Sequence, residues 1–319
     1  MKRKALISGV GGQDGSYLVE LLLGKGYEVY GFDIDDASLR RLLVPSCVTL
    51  HRSDVTSGSE MTRLLSDIRP AEVYHLAAQT RVDWSFVEPL ATMHSIAVGT
   101  ATLLEAVRTV VPDCRFFQAS SSEMFGDTPG PQREDSALAP ISPYGCAKVF
   151  AHHLVETYRR SYGLWAAAGI LFNHESERRS TDFVSRKITR AVAEIVAGKR
   201  DIVALGNLDA RRDWGHARDY VDAMWRIMAQ PSPRDYVIAS GHNHSVAEFA
   251  ELAFSLVGLS WTDHVVTDAR FLRPTDPSDL RGDSALAKSE LGWKPSITFT
   301  ELVRRMLDSD LDACDVGAT

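Results

Sequence analysis

With 319 residues the chain is long enough for one large α/β domain and a smaller appendage, and its 45% hydrophobic and 24% charged residues exclude a disordered or repetitive protein. A formal net charge of −7 argues against nucleic acid or an anionic membrane as the main partner, while local basic clusters leave an anionic small ligand open. Cys47, Cys114, Cys146 and Cys314 have neither metal-ligand nor redox spacing and fit a reducing cytoplasm, and the apolar runs read as too short to span a bilayer.

In chain order, basic Met1-Lys2-Arg3-Lys4 is followed by only Ala5-Leu6-Ile7 before Ser8. That is too little for a signal-peptide core, so 4–8 reads as a buried strand. A helix is predicted over 18–23, ended by Gly24-Lys25-Gly26. Strands are predicted over 28–32, 47–51, 72–76, 115–119 and 165–172, and helices over 61–68, 92–110 and 143–162. Strand and helix alternate, which predicts an α/β fold: a doubly wound, mainly parallel sheet with helices on both faces. After Asn173 the alternation breaks, and the basic run 185–190 opens a helix.

Between the first strand and helix lie Gly9, Gly12 and Gly15. A strand, a glycine loop and a helix in a first βαβ unit make a phosphate cradle. The loop amides and helix N-terminus offer partial positive charge to a pyrophosphate, and a Cβ would hold the phosphate away. A plain tight turn is the competing reading. Asp33, ending the second strand, can accept from the 2′,3′-diol of an adenosine ribose. With Asp35 and Asp36 it would repel a 2′-phosphate, which favours NAD over NADP. Its competing reading is a solvated acidic turn. Asp54, after the third strand, can accept from the adenine amine.

Tyr144 and Lys148 fall four apart on one helix face, where the cation is expected to lower the phenol pKa and make a base near neutrality. The strand over 115–119 runs into Ser120-Ser121-Ser122-Glu123. Ser121 can hydrogen-bond a reacting oxygen. A plain alcohol dehydrogenation has no use for the Glu123 carboxyl, so it suggests a second proton transfer; a helix-start or surface carboxylate is its competing reading. His152-His153 is not read as a metal site, because adjacent helical residues face apart, and no metal is expected. Trp165 and Trp214 read as core residues.

Gly9-x-x-Gly12-x-x-Gly15, Ser121 and Tyr144-x-x-x-Lys148 resemble the extended short-chain dehydrogenase/reductase family. Longer blocks are similar to its GDP-mannose 4,6-dehydratase group: "GQDGSYL" (12–18), "QASSSEMFG" (118–126), "SPYGCAK" (142–148), "GILFNHES" (169–176), "FVSRKITRAVA" (183–193), "LGNLDARRDWGHARDY" (205–220) and "RPTD" (273–276). The likeness covers almost the whole chain, and the pair Gln13-Asp14 is typical of that group. It implies a hydro-lyase that converts GDP-mannose, or a close GDP-sugar, to the 4-keto-6-deoxy sugar. Tyr144 takes the proton of the 4-hydroxyl while hydride leaves C4 for NAD(P). Glu123 removes the C5 proton and assists loss of the 6-hydroxyl as water, and hydride returns to C6.

The resemblance also implies a Rossmann domain over 1–173, to which the chain returns near 212–240, and a C-terminal α+β nucleotide-sugar domain over 174–319. Gln13 and Asp14 join the three glycines, Asp33, Asp54, Tyr144 and Lys148 at the cofactor. Ser121, Glu123, Tyr144 and Lys148 form the catalytic set, with Ser121 where the family usually has threonine. At the substrate it places Ser85, with Asn173 and Arg212 near the diphosphate, Val184 and Lys187 near the nucleoside, and Arg273 near phosphate and ribose. Asp276 stands where a glutamate would contact guanine or ribose. A GDP-sugar epimerase, decarboxylase or 4-ketoreductase on the same fold is the alternative enzyme, and a dinucleotide sensor without catalysis is the third reading.

The chain departs from the group after the second strand. An arginine pair that would hold a 2′-phosphate is replaced by Asp35-Asp36, although Arg40-Arg41 can reoccupy that role, and the following loop is shorter. In the family that loop reaches a neighbouring subunit and supports a tetramer. The expectations are therefore NAD, with NADP as the alternative, and a cytoplasmic homodimer built on helices 92–110 and 143–162, with a tetramer as the alternative.

Overall fold

The structure, a computed structural model, describes residues 2–36, 39, 48–277 and 279–315. Its main sheet has seven strands: β1 (Lys4–Ser8), β2 (Glu28–Asp33), β3 (Thr49–Arg52), β4 (Glu72–His75), β5 (Arg115–Ser121), β6 (Ala166–Leu171) and, after three strands placed elsewhere, β10 (Tyr236–Ile238). They lie in the order β10-β6-β5-β4-β1-β2-β3, with every pairing parallel. The chain runs outward from β1 to β3, then returns to β4 on the other side of β1. The order reverses there, and a crevice opens at the carboxyl ends of the strands.

Successive strand residues face opposite sides, which is why these strands are apolar throughout. Ile7, Tyr74, Phe117 and Ala167 face one core with α1 (Gln13–Gly24). Leu6, Val73, Phe116 and Ala166 face the other, with α2 (Gly58–Ile68) and a helix over Pro89–Val110. The first helix begins at Gln13 rather than Leu18, because Gly12 in an extended conformation starts it and no apolar periodicity marks its first turn. A short helix α3 (Val82–Val87) precedes Pro89–Val110, here α4, which is wound as a π turn at His94–Val98. By length and composition α4 is long and apolar enough to cross a membrane, contrary to the expectation from the apolar runs, as core helices of soluble proteins also are; half of its most apolar 18-residue stretch, of mean hydropathy 1.3, is buried in this fold. The next helix, α5 (Pro143–Tyr162), has its predicted limits: the Ser142 hydroxyl accepts from the Gly145 amide at 3.0 Å, Pro143 opens the first turn, and left-handed Gly163 ends it.

A second core gathers Trp214, Phe249, Phe254 and Met306 between α6 (Val184–Val196), α8 (Val246–Ser255) and α10 (Phe299–Asp315). Beside it lie β7 (Asn173–Glu175), β9 (Arg211–His216), β11 (Asn243–Ser245) and β13 (Asp279–Leu280) in one small sheet, and β8 (Val203–Leu205) with β12 (Val265–Thr267) in another. Between these, α7 (Ala217–Met228) returns to the main sheet, where Met224 and Ile227 join Leu18, Leu22 and Trp293. The helix α9 (Ala285–Leu291) adds Ala287 and Leu291 to that cluster. Two carboxylates of the "RRDWGHARD" run fasten these crossings. Buried Asp213 accepts from the amides of Ser240 (2.7 Å), Gly241 (2.9 Å) and Gly282 (3.2 Å). Asp219 accepts from the Ser296 amide (2.8 Å) and hydroxyl (2.6 Å) and from the Ile297 amide (3.1 Å). Trp214 is buried, as read; Trp165 is half-buried, with the Arg115 guanidinium 4.6 Å from its ring centre.

Candidate active site

The three glycines of the first loop have different reasons. Gly9 has φ +69°, and a Cβ there would lie 2.8 Å from the Ala77 backbone. A Cβ on Gly15 would lie 2.5 Å from the Val10 carbonyl oxygen. The protein's own backbone therefore requires these two. Gly12 meets nothing nearer than the Gly9 oxygen at 3.3 Å, and α1 has no side-chain cap, so the amides of its first turn remain for another acceptor. At Gly12 the fold itself leaves room, so the expected approach of a phosphate is the further reason for a glycine there. This cradle fits the pyrophosphate of a dinucleotide.

Asp33 accepts from the Gly11 amide at 3.2 Å and the Ile34 amide at 2.9 Å, so it shapes the loop as well as ending β2, and burial raises its pKa. Asp54 accepts from the Thr56 amide (2.9 Å) and hydroxyl (2.8 Å), which occupies one oxygen in a local turn. Asp36 faces Arg52 at 3.7 Å. Arg40, Arg41 and Cys47 lie outside the described residues.

Gln13 and Asp14 turn away from the loop toward β7. The Gln13 amide donates to the His174 carbonyl at 3.0 Å and accepts from the Ser176 hydroxyl at 2.7 Å. Asp14 meets His174 Nε2 at 2.7 Å, and His174 Nδ1 meets the Phe172 carbonyl at 2.7 Å. An imidazolium donating from both nitrogens satisfies this arrangement, and Tyr220 stacks on it at 4.4 Å. Burial opposes the charge on His174, yet Asp14 and the Phe172 carbonyl outweigh it and the pKa is raised. Burial likewise opposes Asp14, but His174, Arg179 and Gln13 lower its pKa. The sequence reading placed Gln13 and Asp14 at the cofactor. In the structure the Gln13 side chain bonds to β7, while its backbone amide stays in the first turn of α1, and Asp14 lines the cleft.

At the mouth of β5, Ser121, Glu123, Tyr144 and Lys148 line one cleft of about 860 Å³. Gly145 explains their closeness: a Cβ there would lie 2.6 Å from the Glu123 carbonyl oxygen, so only glycine lets α5 touch the turn that carries Glu123. The Ser121 hydroxyl accepts from the Glu123 amide at 3.2 Å and fixes that turn. Glu123 is 7% exposed; its Oε1 faces Arg273 at 3.4 Å, and its Oε2 is buried without a partner. Lys148 donates to the Ala119 carbonyl at 2.8 Å, with its ammonium 5.6 Å from the Tyr144 ring centre.

The expected lowering of the Tyr144 pKa does not occur in this structure. Burial pushes it up to about 12; hydrogen bonding from Ser121 pulls it down and the charge of Glu123 pushes it up again. Burial brings Lys148 down to about 8, with Asp14 opposing. Burial acts on both groups of the pair and exceeds the attraction that spacing alone suggested.

Asn173, Val184, Lys187, Arg212, Arg273 and Asp276 line the same cleft. Ser85 does not: it is fully buried, and its hydroxyl donates to the Val82 carbonyl at 2.6 Å, closing its own helical turn. Its neighbours Arg81, Val82 and Asp83 face the cleft instead. Asp276 is bonded to Arg212 and lies 3.3 Å from Arg273, so it organises the arginines. The sequence reading gave no role to His174, although it lies inside the singled-out "FNHES" block, nor to Arg179, Arg190, Glu194 and Phe271, which also line the cleft. Lys187 rests on the Phe271 ring at 3.2 Å. Among the described residues no group of three or more His, Cys, Asp or Glu is placed to hold a metal; His152 meets the Ser120 hydroxyl at 3.0 Å.

A parallel sheet with a glycine cradle, and a Ser, Tyr and Lys at its carboxyl edge, defines a nucleotide-dependent enzyme of the short-chain dehydrogenase/reductase fold. The UDP-glucose 4-epimerase of Thermus thermophilus, solved with NAD, shares that fold at a TM-score of 0.84 and 24% identity, over 96% of this chain and 98% of that one. The profile of the GDP-mannose 4,6 dehydratase family matches residues 6–306, and the chain belongs to that family. GDP-mannose 4,6 dehydratase 1 of Arabidopsis thaliana is 46% identical over 326 residues, spanning 98% of this chain and 90% of that protein. The human GDP-mannose 4,6 dehydratase is 42% identical over 339 residues, spanning 97% and 91%.

The ion pair of α1 and β7 has a pH signature. His174, with its raised pKa, stabilises the fold fully below 6.5, and this is lost as pH rises through the folded value. Asp14, with its lowered pKa, stabilises it above 3.8, and this is lost as pH falls through the folded value. His174→Gln should therefore lose on the order of 3 kcal/mol near pH 5–6 and less at pH 9, measured by urea unfolding across pH. A loss that stays constant over that range would mean that folding does not shift the His174 pKa.

Proposed function

We propose that the protein is a GDP-mannose 4,6-dehydratase, a hydro-lyase that converts GDP-mannose, or a close GDP-sugar, to the GDP-4-keto-6-deoxy sugar. The observation that carries this reading is the half-free carboxylate of Glu123, held against the helix of Tyr144 by the Gly145 contact. An oxidoreductase that only moves hydride has no work for that carboxylate. A nicotinamide dinucleotide bound at the glycine cradle supplies a hydride acceptor and then a donor within one turnover, and its positive ring favours the Tyr144 phenolate.

Tyr144 Oη takes the proton of the sugar 4-hydroxyl, with Ser121 hydrogen-bonding the same oxygen. Lys148 lies behind Tyr144, tied to the Ala119 carbonyl, and favours the phenolate. Once C4 is a ketone, the C5 proton is acidic, and Glu123 Oε2 removes it. The same carboxyl then gives a proton to the departing 6-hydroxyl, so a proton from C5 and a hydroxide from C6 leave as water. Arg212 and Arg273 have the planar donor forks that suit the diphosphate, with Asn173 beside them. Val184 and Lys187 face the nucleoside.

The carboxylate of Asp33 at the end of β2, with Asp36 beyond it, supports NAD over NADP. A cytoplasmic homodimer completes the proposal. Leu90 (82% exposed) and Val98 on α4, and Phe150 and Tyr162 on α5, are large apolar side chains left open on adjoining helices. The thiols of Cys114, Cys146 and Cys314 are free, as suits a reducing compartment.

With GDP-mannose and catalytic NAD, the protein should form a 4-keto product without net NADH, and Glu123→Gln should lower kcat by about 10²–10⁴-fold while GDP binding survives; unchanged turnover would remove Glu123 from the chemistry. Calorimetry should show NAD binding more tightly than NADP, and the reverse order would refute the role given to the acidic end of β2. Light scattering should give the mass of a dimer, with a tetramer mass as the contrary result.

A further inference from the structure

Four charged side chains form a line across the cleft. Glu123 Oε1 lies 3.4 Å from Arg273, Arg273 lies 3.3 Å from Asp276, and Asp276 is bonded to Arg212. Two cations and two anions balance within this line, and Lys187 of the same cleft rests on the Phe271 ring, so a diphosphate entering at Arg212 and Arg273 draws on a cation already in use. Arg212 is poorly placed to move: it is 6% exposed and also donates to the carbonyls of Arg211 (2.8 Å) and Pro277 (3.3 Å). Arg179 is held by Glu175 at 3.0 Å, and Arg190 by Glu194 at 2.9 Å. Arg273 is the loosely held one. Both of its ionic contacts are long, and its side chain is 27% exposed.

We propose that Arg273 couples substrate binding to catalysis, because the guanidinium that pairs with Glu123 is the one the diphosphate takes. This rests on the GDP-sugar reading above. When Arg273 turns to the phosphates, Glu123 loses its one cation. Its other oxygen already lacks a partner. With the guanidinium gone, both oxygens of Glu123 are without a partner, so the carboxylate that takes the C5 proton is freed by the part of the substrate that does not react. Arg273 is thereby a positioning residue for Glu123 as well as a phosphate ligand.

The coupling has a counter-intuitive signature that needs no turnover. If Glu123 competes with the diphosphate for Arg273, removing the competitor improves binding. Calorimetry with GDP should show Glu123→Gln binding about 3- to 10-fold more tightly than the unaltered protein, the size expected of one half-buried ion pair. Guanosine, which has no phosphate, should bind both alike. In an Arg273→Met background the substitution at Glu123 should change nothing, and Arg273→Lys should restore part of the gain. Equal or weaker GDP binding by Glu123→Gln overturns the proposal, as does a gain that persists without Arg273 or that extends to guanosine. Failure of the unaltered protein to bind GDP would overturn the GDP-sugar reading itself, whereas binding without the gain would overturn this coupling alone.

Discussion

Asp14 and His174 meet at 2.7 Å although 160 residues separate them, and both are largely buried. Burying either charge alone would be strongly unfavourable, so the pair forms together or not at all. Asp14 stands in the first turn of α1, directly after the glycine cradle. His174 stands in β7, which follows β6 and pairs with β9, the strand that presents Arg212. One polar joint therefore sets the distance between the glycine loop and the strand that carries Arg212. Tyr220, stacked on the imidazole, comes from α7, so the segment that returns to the main sheet closes over the same joint.

The electrostatics of the cleft follow from the same economy of space. Tyr144 and Lys148 are both buried, and burial drives their pKa values apart, up to about 12 for the phenol and down to about 8 for the ammonium. Each is biased toward its neutral form, and an added positive charge beside them tips the phenol toward ionisation. The acidic members of the cleft are mostly paired with arginines. Glu123 pairs with Arg273 through one oxygen at 3.4 Å, and its other oxygen is unpartnered.

Much of this was legible in the residues. The limits of α5 follow from Ser142, Pro143 and Gly163, which are local signals. The six long strands of the main sheet carried enough apolar residues to be recognised, whereas β10, three residues long, carried too few. Ser85 is placed at the substrate by family position, and what the structure adds is that its hydroxyl closes a helical turn. The partners of the Gln13 side chain, the His174 carbonyl and the Ser176 hydroxyl, lie more than 160 residues away and could not be read from its place beside the glycines. Asp276 was weighed as a base contact, and its actual partners are two arginines, one of them 64 residues away.

By itself the sequence determined the alternation of strand and helix, the glycine cradle, and the presence of a serine, a tyrosine, a lysine and a glutamate where strand ends open onto a ligand. These are properties of periodicity, capping and residue type, which are local. Tertiary structure alone decided which polar groups meet: Asp14 with His174, Gly145 against Glu123, Arg273 between two carboxylates. It also decided the direction of the Tyr144 shift, since burial depends on everything packed around a group while spacing reports a single neighbour.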